Sequence, residues 1–176
     1  MKNKTLTKRL CRAGVIAALY VSLTYVFMPF AYGPLQIRPA EALCILPLFF
    51  PEAVPALYVG CMISNIPSGP IDVFLGSFAT LIAALGTYMV GSFFKNKWAK
   101  VLVGGIFPIV CNALIIPLIL VFLYKDMGEF SSASLAYFSY VLSIGFTQTV
   151  WVYALGVPLY FTLERLRKKA FIRFLQ

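Results

Sequence analysis

Four long apolar runs constrain the fold of this chain more than any other feature. They cover Ala13–Ala31, Val73–Phe94, Val101–Tyr124 and about Leu135–Leu163, and each is close to the roughly 20 residues that cross a bilayer core as a helix. With 61% hydrophobic residues over 176 positions, no stretch remains for a soluble domain. The sequence therefore predicts an all-α integral membrane protein with a single domain over residues 1–176.

A further apolar stretch, Ala42–Ile66, could form one kinked helix or two short ones, and the distribution of charge favours two. Two helices give six crossings with both termini in the cytoplasm, and only Arg38 and Lys125 of the fifteen basic residues then lie outside. One helix gives five crossings, and either orientation then places nine basic residues on one side of the membrane and six on the other. Because cytoplasmic loops carry the excess of Lys and Arg, we expect six crossings. The residues on the cytoplasmic side are then Lys2, Lys4, Lys8, Arg9, Arg12, Lys95, Lys97, Lys100, Arg165, Arg167, Lys168, Lys169 and Arg173.

The boundary between the two short helices is predicted at Pro51. Proline is accepted in the first turn of a helix, where its missing N–H costs nothing, but it breaks a hydrogen bond in mid-helix. We therefore expect a compact six-helix bundle in the cell (cytoplasmic) membrane, in which helices two and three are short. The predicted helices are about 13–31, 39–50, 51–66, 73–94, 101–124 and 135–163, followed by a basic cytoplasmic tail at 164–176.

Several functional classes are disfavoured by what the sequence lacks. The net charge of +9 is carried by short clusters between apolar segments, which is a topology signal and not a nucleic-acid surface. There is no histidine, and the four cysteines lack paired spacing, so we expect neither a metal site nor disulfides. No phosphate-binding loop and no familiar hydrolase motif occurs. We expect a transport subunit without a cofactor, not an enzyme.

Polar side chains near the outer side form the candidate binding site. Polar groups inside a membrane are costly and usually face the bundle interior or a water-filled cavity. An amide offers donors and an acceptor, and an aromatic plane offers a stacking surface, so together they suit a flat, polar ring system. The candidate substrate-binding residues are Gln36, Arg38, Glu41, Asn65, Asp72, Asn112, Gln148 and Trp151.

Structural roles remain open for most of these residues. Asn112 and Gln148 could hydrogen-bond across helices instead of binding a ligand. Arg38 and Glu41 could form a local i,i+3 ion pair at the start of the second helix. Asp72 could be the N-cap of the fourth helix instead of a ligand contact.

The first helix carries a candidate interaction surface. Ala13 and Ala17 form an A-x-x-x-A pair directly after the basic N-terminal cluster. Small residues four apart allow the backbone of another helix to approach closely. A second protein could therefore dock at this end of the helix.

The segment YGPLQIRPAEALCILPLFFPEAVPALYVGCMISN, continued by DVFLGSFATLIAA, resembles the signature of the QueT family. These are the queuosine-precursor substrate-binding subunits of energy-coupling-factor transporters. The resemblance implies a partnership with a transmembrane scaffold subunit and two ATP-binding-cassette ATPases. It also implies that Ala13 and Ala17 contact the scaffold.

The ligand that the resemblance implies is a 7-deazaguanine, in the aminomethyl or cyano form or as queuine. Trp151 would then stack on the ring, and Glu41 or Asp72 would meet a protonated aminomethyl group. Two alternatives remain: a subunit of the same transporter class for another vitamin-like molecule, and a small secondary transporter that needs no partner.

Overall fold

The computed structural model describes residues 2–33 and 35–168, and over these ranges every regular element is helical. The predicted tail beyond Lys168, including Lys169 and Arg173, lies outside the described residues. Seven α-helices are present in this part of the chain, together with a ten-residue 3₁₀ helix, Pro39–Leu48, a short 3₁₀ turn, Ile66–Ser68, and π-helical turns at Asp72–Gly76 and Ile119–Leu123. The α-helices are α1 (Lys2–Val26), α2 (Met28–Ala31), α3 (Ala53–Ser64), α4 (Ser77–Phe93), α5 (Lys97–Leu118), α6 (Ala133–Ala154) and α7 (Gly156–Lys168).

Four helical stretches are long and apolar enough to cross a membrane: Thr5–Val26, Asp72–Phe93, Lys97–Leu123 and Ala133–Leu166. They coincide with the four long apolar runs of the sequence, in agreement with the predicted helical membrane class. Pro39–Leu48 and Ala53–Ser64 are apolar helices too short for this group. The number of six crossings and the cytoplasmic position of the termini remain predictions.

The first and last long helices differ from the sequence prediction in their continuity, and the first also in its start. The predicted helix 13–31 begins already at Lys2 and is interrupted at Phe27. The predicted helix 135–163 is interrupted at Leu155, between α6 and α7. A proline follows each interruption, at Pro29 and at Pro158. Proline cannot donate a hydrogen bond to the carbonyl four residues earlier, so the regular helix is disturbed there.

The 3₁₀ helix Pro39–Leu48 lies at the centre of the bundle. It packs against α1, α3, α4, α5, α6 and α7, and every residue from Pro39 to Pro47 is buried. A 3₁₀ helix rises about 2 Å per residue instead of 1.5 Å, so these ten residues reach about 20 Å into the protein. These ten residues therefore span a greater distance than they would as an α-helix. The element is also shorter than the predicted helix 39–50.

The chain reverses after the 3₁₀ helix beside a positively charged residue of α1. Arg12 Nη1 lies 2.8 Å from Glu52 Oε1, and the Arg12 guanidinium lies over the Phe50 ring at 4.4 Å. A second ion pair, Lys97–Glu164, joins α5 to α7. We call the part of the bundle marked by these two ion pairs the basic end. The part that holds Arg38, Asn65 and Asp72 is called the loop end.

Helices α1 and α3 approach closely because α3 has a glycine at their crossing. A Cβ atom at Gly60 would lie 3.1 Å from Tyr20 Cβ and 3.2 Å from the carbonyl oxygen of Ala17. Any larger side chain would have to displace the α1 backbone. This close approach brings Tyr20, which is fully buried, against the central 3₁₀ helix.

Candidate functional site

A buried carboxylate occupies the centre of the site. Glu41, on the first turn of the 3₁₀ helix, is only 1% exposed. The Tyr20 hydroxyl donates a hydrogen bond to its Oε1 at 2.6 Å, and Asn112 Nδ2 donates to Oε2 at 3.2 Å. The Cys44 thiol also donates to Oε2, at 3.2 Å. Three neutral donors from α1, α5 and the 3₁₀ helix therefore converge on one acceptor group.

No cation pairs with this carboxylate in the described part of the chain. Neither of the ion pairs at the basic end, Arg12–Glu52 and Lys97–Glu164, involves Glu41. Arg38 is three residues before Glu41, but its guanidinium is bonded elsewhere. The local Arg38–Glu41 ion pair, which the sequence left open, is not formed among these residues. Glu41 therefore has three hydrogen-bond donors but no ion-pair partner among these residues.

Arg38 organises the loop end of the bundle. Its Nε donates to the carbonyl oxygen of Ala31 at 2.9 Å, and its Nη2 donates to Asn65 Oδ1. Asn65 Nδ2 donates in turn to the backbone oxygen of Asp72 at 3.0 Å. One buried guanidinium thus connects the end of α2, the end of α3 and the start of the π turn at Asp72–Gly76.

Tyr32 also contacts the Arg38 network. Its hydroxyl donates to the carbonyl oxygen of Ser64, and its ring centroid lies 5.1 Å from the Arg38 guanidinium carbon. Burial raises the pKa of the Tyr32 phenol, and the positive charge of Arg38 opposes that rise. Since the net shift of this pKa is upward, the phenol remains protonated at neutral pH and keeps its hydrogen bond.

Gln148 is the most unusual polar residue of the interior. It is 0% exposed, and neither its Nε2 nor its Oε1 has a hydrogen-bond partner among the described residues. It lies on the inner face of α6, where the buried residues Tyr140, Ile144, Gln148 and Val152 follow each other at four-residue intervals. Buried amides are normally satisfied. The two amide atoms of Gln148 are therefore available to bind a ligand or a water molecule.

Gln148 and Asn112 lie at similar depth on neighbouring helices. Helices α5 and α6 pack together, and a Cβ at Gly145 would touch Ala113 Cβ at 3.5 Å. Gln148 is one turn beyond Gly145 on α6, and Asn112 directly precedes Ala113 on α5. The two amides and the Glu41 carboxylate therefore belong to the same region of the interior.

Six of the eight predicted binding residues are buried, and the other two are partly buried. Trp151 lies near Phe27, the residue between α1 and α2, and the two ring centroids are 6.5 Å apart. Asp72 is the first residue of a π turn whose N-cap residue is Ile71, so Asp72 is not the N-cap that the sequence left open. Hydrogen bonds join Glu41 to Asn112 and Arg38 to Asn65. The buried residues are Gln36, Arg38, Glu41, Asn65, Asn112 and Gln148.

The sequence predicted Asn112 as a binding residue but not its bond to Glu41, and it missed Tyr20 and Cys44. Tyr20 lies in an apolar helix, and Cys44 is one of the four cysteines for which neither a metal site nor a disulfide was expected. Tyr20 stands three residues after Ala17 on the face that meets α3. A tyrosine on a buried helix face requires a partner for its hydroxyl. This requirement could have indicated that Tyr20 bonds to a polar group of the interior.

A cavity of about 260 Å³ lies near the basic end and is separate from this polar cluster. None of the predicted binding residues lines it. Its lining residues are Pro47, Leu48, Phe49, Pro51, Tyr88, Gly91, Ser92 and Lys100. Within the described ranges, no group of three or more His, Cys, Asp or Glu side chains is arranged to hold a metal ion.

Comparison with known proteins identifies the family. A family model described as the QueT transporter matches residues 10–165. This chain belongs to the QueT transporter family. The match covers every predicted binding residue as well as Ala13 and Ala17, and it confirms the resemblance found in the sequence. QueT proteins are transporters and not enzymes, and with its four long apolar helices this member is a multi-pass membrane protein.

A named relative of this QueT family member is the "Queuosine precursor transporter QueT" of Lactococcus lactis subsp. cremoris (strain MG1363). It is 35% identical over 95 residues. The aligned stretch covers 52% of this chain and 56% of the relative, so the chain spans about half the length of the relative it matches. No solved structure matches the chain.

Proposed function

We propose that this chain is the high-affinity substrate-binding membrane subunit of an energy-coupling-factor importer for a queuosine precursor. The substrate is a 7-deazaguanine, in the aminomethyl or cyano form or as queuine. Membership of the QueT family and the name of the Lactococcus relative support this substrate class. The observation that carries the proposal is the unpaired, fully buried amide of Gln148 in the same region as the Glu41 carboxylate.

The chemistry of the buried groups suits a guanine-like ring. Such a ring presents N–H donors beside a carbonyl acceptor on one flat edge. A carboxylate accepts hydrogen bonds, and an amide both donates and accepts them, so the two groups complement that edge. Trp151, which is partly buried near Phe27, offers an aromatic face at the border of this region.

We place the protein in the cytoplasmic membrane with the basic end inside and the loop end outside. Arg12, Lys97 and Lys100 then face the cytoplasm, as expected from the positive-inside rule. In this orientation, the Arg38 network and both π turns lie on the side from which the substrate arrives. Short π-helical segments are frequent at functional sites.

Equilibrium binding to the purified chain tests the substrate class. We expect 7-cyano- and 7-aminomethyl-7-deazaguanine to bind, while riboflavin, biotin and thiamine do not. Titration calorimetry in detergent measures this directly. Absence of binding by every 7-deazaguanine would contradict the proposed substrate, and binding of one of the three vitamins would replace it.

Dependence on partner subunits is tested by transport. We propose that the chain works with a transmembrane scaffold subunit and two ATP-binding-cassette ATPases, which supply the energy. Proteoliposomes that contain the chain alone should show substrate binding but no concentrative uptake, even with a membrane potential and ion gradients. Uptake by the chain alone would identify a self-sufficient secondary transporter instead.

The proposed scaffold contact on α1 is tested with two pairs of substitutions. Ala13 and Ala17 are partly buried against the core, whereas Gly14 and Ala18 on the same turns are exposed. We expect Ala13→Leu with Ala17→Leu to abolish ATP-driven uptake and to leave substrate binding within about threefold of wild type, because the bulky side chains prevent close approach of a second helix. The matched control is Gly14→Leu with Ala18→Leu. If only the control pair abolishes uptake, the contact lies on the exposed face and the Ala13–Ala17 assignment is wrong.

A further inference from the structure

We infer that Glu41 binds the ring edge of the substrate, accepting hydrogen bonds from its ring N–H and its exocyclic amino group, and does not bind the substituent at position 7. This inference rests on the proposed function, because it assumes a 7-deazaguanine. It assigns the buried carboxylate to the part of the molecule that all queuosine precursors share. The site would then select the ring and tolerate different substituents.

The hydrogen bonds at Glu41 leave acceptor positions unused, to which such an edge could donate. A carboxylate offers about four lone-pair positions on its two oxygens. Oε1 receives one donor, Tyr20, while Oε2 receives Asn112 and Cys44. One position on Oε1 is therefore open, and a thiol is a weak donor that a ligand N–H can replace on Oε2. The two oxygens thus have acceptor positions for two parallel N–H groups while Tyr20 and Asn112 keep their hydrogen bonds.

The surroundings of Glu41 suit a neutral edge better than an ammonium group. Glu41 is 1% exposed, and Tyr20, Asn112 and Cys44 all direct donors toward its carboxylate. An ammonium group carries three N–H donors and strong hydration, and it would have to lose that hydration among groups that already act as donors. A flat amide-like edge has fewer polar atoms to satisfy and costs much less to bury.

The unpaired amide of Gln148 is the second observation that points to a ligand here. It lies on the buried face of α6, and α6 packs against the 3₁₀ helix and α5, which carry Glu41 and Asn112. Its Nε2 can donate a hydrogen bond to an acceptor of a ligand, and its Oε1 can accept one from a donor. The ring carbonyl lies next to the ring N–H in a 7-deazaguanine, so with Glu41 on the N–H groups, Gln148 Nε2 can donate to the carbonyl.

Calorimetric binding of a neutral and a cationic precursor to Glu41→Gln tests the inference. The introduced amide would keep one acceptor oxygen for Tyr20 but lose the charge and one acceptor. We expect the cyano and the aminomethyl forms to lose affinity by the same factor, about 10- to 100-fold, as for hydrogen bonds to a charged group. Glu52→Gln, the same change at the basic end, should leave both affinities within about twofold of wild type. Loss confined to the aminomethyl form would show that Glu41 binds the substituent and would overturn the inference, as would unchanged binding of both.

A ligand variant provides a second test that does not depend on the folding of a mutant. The analogue 7-cyano-7-deazahypoxanthine lacks only the exocyclic amino group. We expect wild-type protein to bind it about 10- to 100-fold more weakly than the cyano precursor, and we expect this ratio to shrink toward one in Glu41→Gln. Equal binding of the two ligands by wild type would overturn the inference while leaving the proposed function intact. If wild type binds neither these precursors nor queuine, the proposed function itself fails.

Discussion

Replacing Gln148 with methionine is expected to stabilise the ligand-free protein and to abolish tight substrate binding. Both amide atoms of Gln148 are buried without a partner among the described residues. Burying a polar group without a hydrogen bond costs about 1–3 kcal/mol by mutational measurements. Methionine has a similar volume and no such cost, so the unfolding free energy should rise by about that amount. The same change removes two hydrogen-bonding groups from the proposed site.

Thermal unfolding in detergent, combined with titration of the cyano precursor, measures both effects of Gln148→Met. The matched comparison is Asn112→Leu. Asn112 has a partner, because its Nδ2 donates to Glu41 Oε2, so its loss should lower the melting temperature instead of raising it. If Gln148→Met melts below wild type, its amide is satisfied in the folded protein. If the Gln148→Met variant binds substrate with wild-type affinity, Gln148 is not part of the binding site.

Replacing Arg38 with methionine is expected to destabilise the loop end severely. The change leaves two buried acceptors, the Ala31 carbonyl and Asn65 Oδ1, without their donor. Each unsatisfied buried group costs about 1–3 kcal/mol, so we expect a loss of about 2–5 kcal/mol. Lysine should rescue little of it, because a single ammonium on a flexible stem does not reproduce the planar fork of donors.

The melting temperature of Arg38→Met in detergent, relative to Arg9→Met, checks this prediction. Arg9 is an exposed arginine of α1, so its replacement removes the same charge without leaving buried acceptors. Limited proteolysis should also show faster cleavage between α2 and the 3₁₀ helix in Arg38→Met only. Equal melting temperatures for the two variants would mean that the Arg38 network does not hold the loop end together.

Much of the helical framework could be predicted from the sequence because the bilayer imposes a length on apolar helices. The four long runs correspond to the four long helices, with ends shifted by several residues. The family could also be predicted, since the segment from Tyr32 to Asn65 carried the resemblance that the family match confirms. Burial of residues such as Asn112 and Gln148 followed from the cost of polar groups inside a membrane.

The local geometry of the interior could not be predicted. Periodicity does not distinguish a 3₁₀ helix from an α-helix when every side of the segment is apolar, and Pro39–Leu48 is buried on every side. Sequence proximity allowed a pair between Arg38 and Glu41, but each side chain has a partner more than twenty residues away, in Asn65 and Tyr20. Such partners depend on how helices cross, and local spacing contains no information about that.

The central position of the 3₁₀ helix has a consequence for biogenesis. Three of the helices that surround it, α5, α6 and α7, come from the C-terminal half of the chain. Because a protein is synthesised from its N-terminus, Arg38 and Glu41 leave the ribosome long before these helices exist. The 3₁₀ helix can therefore reach its final depth only after the last helix has been inserted. A truncated chain that lacks α6 and α7 should remain exposed to quality-control proteases, even though its earlier helices are complete.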